Sequence, residues 1–514
     1  MSEENMKKSR AIYWASGIVS ICGIIFEVLF GALGSYMLGD GVKQYTLTIS
    51  LFLTGMGIGA SLSENVTKQL IISFIWIEFT IGLIGGMSAF LLFGINAYLP
   101  DGSEALFLYG VTFTIGALTG VELPVLIRKA DEIGVSLNKS TARVLFSDYA
   151  GGLVGGLLFV FLLRPQLGLV KTAFMVALVN IAVAVWVAWL FREEIRMPKI
   201  QFMFGGLFSL VLAAGLFFGE ETAFSFEQKL YSDPIIFAEE TEYQRIILTK
   251  EQGDIRMYLD GSLQFSSSDE YRYHETLVHP AMEGAKRHEN VLILGGGDGM
   301  ALREVLKYKS ARDITLVDLD PAVVELAKSN RDLRQLNANA FDNTHVEVVH
   351  KDAFRFLESE RSLYDVILID LPDPNNEGLN KLYTREFYSL VRNRLSPGGM
   401  VNIQATSPVF APRVYWGINS TIASAGLKTE NLHVEIPSFG NWGFILAGRE
   451  PVDLKEIEIT RQTRFLTTKL VSTLAEFGKD ENEDAAEKSG GELPPNTLIN
   501  PYLIEEYEKA WLQY

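Results

Sequence analysis

From residue 11 to residue 218 the chain is almost continuously apolar, and so long a run leaves few architectures open. A helix in a soluble fold keeps a polar face towards water, whereas a bilayer accepts repeated apolar stretches of roughly 20 residues each. Stretches near or above that length begin near Ala11, Tyr45, Leu70, Ala105, Val144, Leu169 and Phe202, so about seven membrane-spanning helices are expected. The first is not a cleavable signal: its apolar run exceeds a signal-peptide core, and no small-residue cleavage site followed by soluble sequence appears. Eleven Lys and Arg residues fall in the connections on one side (Lys7, Lys8, Arg10, Lys68, Arg128, Lys129, Lys139, Arg143, Arg192, Arg196 and Lys199), against four on the other (Lys43, Arg164, Lys171 and Lys229). That bias puts the N-terminus in the cytoplasm, and seven crossings then bring the following half out on the opposite face.

Four carboxylates, Glu27, Glu78, Glu122 and Asp148, lie within or at the ends of these stretches. Intramembrane acids are costly and often functional, so binding or conducting a cationic amine is one reading. The plainer reading, preferred here, puts Glu122 and Asp148 at the water interface and leaves the others protonated or hydrogen-bonded. The single cysteine, Cys22, permits no intramolecular disulfide and no cysteine-based metal site.

Beyond residue 220 charged and apolar residues alternate as in a soluble protein, and 514 residues suit two or three domains. The formal charge of −17 disfavours nucleic acid as a partner and suits cationic ligands. Within residues 221–290, "PIIFAEE", "YQRIILTK" and "IRMYLDGSLQF", parted by turn residues, predict a small antiparallel unit. Within 291–450, "VLIL", "DITLV", "VEVV", "DVILI" and "MVNIQ" alternate with helix-length segments, which predicts a doubly wound parallel sheet. Residues 451–514 read as an extension with a mobile acidic loop, "GKDENEDAAEKSGGELPPN", and a docked terminal helix. With residues 1–220 as the spanning region, four parts are expected.

Ligands of such sheets bind beyond the carboxyl ends of the strands. Asp298 follows the first strand, Asp318 and Asp320 the second, Asp352 the third, and Asp370 with Asp373 the fourth. One such aspartate is easily a helix cap; six at successive strand ends point to a site. The first turn, "GGGDG", lacks the G-x-G-x-x-G spacing and has no Lys-Ser/Thr after it. Asp298 at its tip repels a pyrophosphate and attracts an ammonium. Asp318, about 20 residues on, is placed for ribose hydroxyls, and Asp352 for an exocyclic adenine amine. Together they describe an adenosine-like ligand with a cationic tail, for which decarboxylated S-adenosylmethionine fits better than the carboxylate-bearing parent.

The segments "VLILGGGDGMALREVLKY", "YLDGSLQFSSSDEYRYHETLVHPAM", "LVDLDPAVVELAK" and "LYTREFYSLVRNRLSPGG" resemble the motifs of the spermidine synthases, the polyamine aminopropyltransferases, from about Tyr243 to Gly448. The apolar half resembles the multi-spanning region carried by a membrane-bound branch of that family. The resemblance implies a Rossmann-like, methyltransferase-type sheet, and transfer of an aminopropyl group from decarboxylated S-adenosylmethionine to putrescine or a similar amine, without a metal. It implies Asp370 as catalytic base, Gln244, Gln264, Asp298, Asp318 and Asp352 on the donor, and Tyr273, His274 and Asp373 on the acceptor; it also suggests dimers. For His274 a purely packed role is an equal reading. Three departures stand out: Leu371 and Pro372 replace small hydroxyl residues, Met300 replaces a glycine, and Phe439 stands where the family has a tyrosine at the acceptor. Two other readings remain, a methyltransferase using intact S-adenosylmethionine and an amine transporter or sensor without turnover.

Overall fold

The computed structural model describes residues 3–39, 41–100, 102–134 and 137–511, the side chains from Met6 and, after the last gap, from Asn138. The chain forms two compact units, Met1–Ser232 and Asp233–Tyr514.

The first unit is helical: α1 (Glu3–Leu38), α2 (Gly41–Leu62), α3 (Leu70–Tyr98), α4 (Ser103–Glu132), α5 (Leu137–Leu158), α6 (Arg164–Leu190) and α7 (Pro198–Glu227). Among the described residues six stretches are long and apolar enough to cross a membrane, one of them the 53-residue run Asn138–Leu190. That run joins α5 to α6 through a π turn at Phe159–Leu163 and is broken at Gly168, whose φ of 67° and ψ of −174° are not helical. Helices α2 and α4 approach through reciprocal glycines: a Cβ on Gly55 would lie 2.5 Å from the Phe113 carbonyl oxygen, and Gly116 and Gly120 lie equally close to the backbone at Phe52 and Met56. Small residues spaced four apart let apolar helices meet backbone to backbone. Phe26, Phe30, Phe74, Phe79 and Phe174 fill the interior.

Glu122 does not sit at a water interface as expected. It is 5 % exposed and Glu78 is fully buried, because both face the packed interior of this unit. Glu78 Oε2 accepts a 2.6 Å hydrogen bond from Asn180 Nδ2 on α6. Glu27 and Asp148 are half-buried.

The second unit opens with an antiparallel sheet, β1 (Ile235–Glu240), β2 (Arg245–Glu251), β3 (Asp254–Leu259) and β4 (Ser262–Ser266), paired in that order. Its tight hairpins turn at Gln252-Gly253 and Asp260-Gly261, all with positive φ, the geometry that two-residue hairpins favour. The chain continues through α8 (Glu270–Gly284), β5 (Asn290–Gly295), α9 (Met300–Val305), β6 (Asp313–Asp318), α10 (Pro321–Ser329), α11 (Arg331–Leu336), β7 (Val346–His350), α12 (Ala353–Ser359) and β8 (Tyr364–Asp370). It then forms α13 (Glu377–Asn380), α14 (Arg385–Arg394), β9 (Leu395–Gln404), α15 (Pro412–Ser424), β10 (Lys428–Ile436) and β11 (Gly440–Gly448).

The seven-stranded sheet has the order β10-β11-β9-β8-β5-β6-β7. The five strands expected from sequence are its parallel part, and the hairpin β10–β11 extends it antiparallel, so the sheet is mixed. In β5, Val291 and Ile293 enter the core against α8 and α9, while Leu292 and Leu294 face the opposite core. Both faces of β5 are therefore apolar. The winding direction reverses beside β5, which puts the carboxyl ends of β5, β6 and β8 at the switch point where this architecture opens a crevice.

The C-terminal extension forms α16 (Thr468–Val471), α17 (Glu483–Gly490) and α18 (Tyr502–Trp511). The acidic stretch expected to be mobile is instead docked. Two of its apolar residues, Ala486 and Leu493, are buried, and Arg413 Nη1 donates to the carbonyls of Ala486 and Gly491 at 3.0 Å. The expected terminal helix is α18; the last three residues lie outside the described ones.

Candidate active site

The glycine run after β5 makes room for carboxylates of its neighbours. Gly295 (φ 83°) lies against the Asp370 carbonyl, a Cβ on Gly296 would stand 3.3 Å from Asp370 Oδ2, and one on Gly297 would stand 2.5 Å from Asp318 Oδ2. The Gly297 N–H donates to Asp318 Oδ2 at 3.0 Å. At the tip, Asp298 Oδ1 accepts from the Met300 N–H at 2.7 Å, and its carbonyl accepts from Asn337 Nδ2 at 3.1 Å. The Asp298 charge acts on both Asp318 and Asp370, so these three carboxylates converge.

Asp318 also accepts from the Asp320 N–H at 3.0 Å. Burial pushes its carboxyl up to about 6, against those two N–H donors and with the charges of Asp320 and Asp298. Asp320 caps α10 and accepts from Gln244 Nε2 at 3.0 Å and the Thr241 hydroxyl at 2.8 Å, which ties Gln244 to the end of β6. Gln264 donates instead to the Ser262 carbonyl of its own strand at 3.1 Å. Asp352 caps α12 through the Arg355 N–H at 3.0 Å and pairs with Lys381 Nζ at 2.7 Å. These last two are not hydrogen-bonded to the converging carboxylates.

Asp370 closes β8, and its Oδ1 accepts a 2.6 Å hydrogen bond from the Tyr273 hydroxyl on α8. Burial raises the Asp370 carboxyl to about 6; His274 and the Tyr273 bond oppose the rise and Asp298 adds to it. One turn of α8 sets Glu270 beside His274, whose Nδ1 lies 2.8 Å from Glu270 Oε2. Burial alone would lower the imidazole pKa, but the Glu270 bond and charge reverse this and lift it to about 9. Arg303 grips the same carboxylate with two nitrogens at 2.9 Å. His274 is thus a buried cation beside Asp370.

After β8 the backbone of Leu371 and Pro372 is held from outside. Tyr383 donates to their carbonyls at 3.1 and 3.0 Å, and Gln404 Nε2 donates to the Leu371 carbonyl and to Asp373 Oδ1, the latter at 3.1 Å. Burial raises Asp373, opposed by the Gln404 bond. Trp442 Nε1 donates to Gln404 Oε1 at 3.3 Å, and Phe439 packs between Trp442 and Tyr273, ring centroids 5.3 and 6.3 Å away. Sequence reasoning missed Gln404, Tyr383, Trp442, Glu270 and Arg303. Only Gln404 carried a signal, as the polar residue closing the apolar strand next to β8.

Residues 270–456 match the Spermine/spermidine synthase domain. A polyamine aminopropyltransferase of Oceanobacillus iheyensis is 64 % identical over 514 residues, covering 100 % of both chains. This chain belongs to the polyamine aminopropyltransferase family. Another such aminopropyltransferase, from Leptospira interrogans, is 40 % identical over 506 residues, 98 % of each chain. Because both relatives match almost end to end, the helical unit has its counterpart in these aminopropyltransferases. A crystal structure of spermidine synthase in complex with the transition state analogue AdoDATO is similar over 49 % of this chain and 88 % of that one, at 23 % identity and a TM-score of 0.45.

Proposed function

We infer that the second unit transfers the aminopropyl group of decarboxylated S-adenosylmethionine to putrescine or a related amine, giving spermidine or a similar polyamine and methylthioadenosine. An alkyl amine with a pKa near about 10 arrives protonated and cannot attack. Asp370 binds this ammonium and takes its proton. The freed nitrogen lone pair attacks the aminopropyl carbon, the C–N bond forms as C–S breaks, and the electron pair returns to sulfur, turning the sulfonium into a neutral thioether. Alignment of the two partners supplies much of the rate.

The observation that carries this reading is Asp370 itself, a carboxylate raised to about 6 and oriented by Tyr273, close to the optimum for a base working near neutrality. In the same reading Asp298 takes the donor amine, Asp318 the ribose and Asp352 the adenine, with Gln244 and Gln264 also on the donor. Tyr273, His274 and Asp373 serve the acceptor. The division into residues 1–220, 221–290, 291–450 and 451–514 follows these roles. The first part is read as a multi-pass region of the cell membrane with seven crossings, since 53 residues of helix span about 80 Å against a hydrocarbon core of about 30 Å, and Gly168 divides them.

The test is to incubate the full-length, detergent-solubilised protein with decarboxylated S-adenosylmethionine and a panel of di- and triamines. Methylthioadenosine release together with an amine heavier by one aminopropyl group is expected, and none with intact S-adenosylmethionine. Absence of product from every amine would sink the reading.

A further inference from the structure

The reaction above gives no part to the polar groups inside the helical unit. Glu78 on α3 and Asn180 on α6 meet there, 0 % and 1 % exposed. Asn180 Nδ2 donates to Glu78 Oε2 at 2.6 Å and to the Glu78 carbonyl at 3.2 Å, so both of its hydrogens are committed. The remaining oxygens of the pair, Glu78 Oε1 and Asn180 Oδ1, are buried, and no hydrogen-bond donor reaches either. Two unpaired acceptors in an apolar interior are costly. Glu122, 5 % exposed, comes to the same level. Helices α3 and α4 are consecutive with four residues between them; Glu78 lies 20 residues before the end of α3 at Tyr98, and Glu122 lies 19 after the start of α4 at Ser103. The charge of Glu78 acts on Glu122 there.

Every free group of this set is an oxygen acceptor and two of the three side chains are carboxylates, so a positive charge is what completes it. A proton shared by Glu78 and Glu122 would serve the carboxylates and leave Asn180 Oδ1 unpaired, because an amide oxygen does not protonate at ordinary pH. A bare cation takes all three. A divalent ion demands about six oxygens or more, beyond what these side chains offer. Beside the pair, a Cβ on Gly82 would stand 2.9 Å from Ile181 Cδ1, a packing that suits a dehydrated ion better than an alkylamine. We propose that Glu78, Asn180 and Glu122 form a binding site for one sodium-sized monovalent cation inside the helical unit. The ion ties α3, α4 and α6 together, and its site is independent of the aminopropyl-transfer reading.

The experiment titrates NaCl into the full-length, detergent-solubilised protein at constant ionic strength in choline chloride. Two readouts are followed, equilibrium binding of radioactive sodium and the thermal midpoint of the helical unit. Cys22, the only cysteine and buried in that unit, reports its unfolding by reaction with a thiol-reactive dye. One sodium per chain is expected, with a saturable rise of several degrees in the midpoint. Glu78→Gln and Asn180→Leu should each weaken sodium binding at least about tenfold, a loss of one good ligand. Glu27→Gln, a carboxylate variant outside the set, should bind as the parent does. Should the site variants fail to fold, the parent titration decides alone. The proposal is overturned if the parent shows no saturable sodium binding, or if both site variants keep it. A midpoint that follows pH and ignores sodium would make a shared proton the occupant and overturn it too, as would displacement of the bound sodium by 1,4-diaminobutane at concentrations where choline has no effect.

Discussion

The Tyr273 hydroxyl and Asp370 Oδ1 are 2.6 Å apart, and the proton of that bond stays on tyrosine, because burial and the Asp370 charge push the phenol well above its ordinary range. Asp370 is thereby an acceptor with a fixed direction and a free second oxygen for an incoming ammonium.

The base form of Asp370 is lost as pH falls through about 6, so kcat/KM should decline on the acid side with a midpoint near that value. The Tyr273 bond favours the carboxylate. Tyr273→Phe removes it, the Asp370 pKa rises, and the acid limb moves to higher pH. A pH–rate profile unmoved by the substitution would contradict the assignment.

Asp370→Asn keeps the shape of the side chain and removes the proton acceptor. Turnover should fall by roughly 10² to 10⁴, while methylthioadenosine binding, followed by calorimetry, stays within about threefold. A variant that binds poorly instead would show Asp370 to be a donor ligand and not the base.

Gly297→Ala sets a methyl group against Asp318 Oδ2, 2.5 Å from the position of its carbon, and Asp318 must yield. A small displacement at a positioned group costs much rate, so the donor KM should rise about tenfold or more with the diamine KM little changed. Equal effects on both substrates would argue against Asp318 as a donor ligand.

Glu270 is 1 % exposed and neutralises His274 and Arg303 together. Glu270→Gln leaves the buried His274 without its carboxylate and Arg303 with Glu304 alone, and should destabilise the second unit by about 3–5 kcal/mol. The His274 share of this stability is complete below its ordinary 6.5 and is lost as pH rises through about 9. The Glu270 share is complete above 4.5 and is lost as pH falls through about 2, because His274 and Arg303 overcome the burial that would raise it. Denaturant midpoints of variant and parent should therefore differ most between pH 4.5 and 6.5, and less at pH 9.5.

The proposed seven crossings would put the two chain ends on opposite faces of the membrane. Reporter fusions at the N- and C-termini in cells should give opposite locations; the same location for both would mean that the Asn138–Leu190 run does not cross twice.

The parallel strands were legible because buried strands read as short apolar runs, and Asp318 and Asp370 were legible because each closes one. The partners that hold these groups were not. Arg303 reaches Glu270 across 33 residues, and Gln404 reaches Asp373 across 31, so no local pattern marks either pair. Two glycines of "GGGDG" stand against side chains from β6 and β8, a packing role that the composition of the turn does not mark. The acidic stretch before α18 looked unstructured by composition. Two buried apolar residues, and side chains such as Arg413, Trp416 and Ser420 that donate to its carbonyls, dock it.

The convergence of Asp298, Asp318 and Asp370 also gives the reaction a direction of travel. The nucleoside enters with a sulfonium and an ammonium and leaves as a neutral thioether, while both positive charges depart on the polyamine. Carboxylates attract a cationic nucleoside, but a neutral one gives them no charge by which to retain it. Product inhibition by methylthioadenosine should be weak and nearly indifferent to salt, whereas capture of the donor should weaken steadily as ionic strength rises.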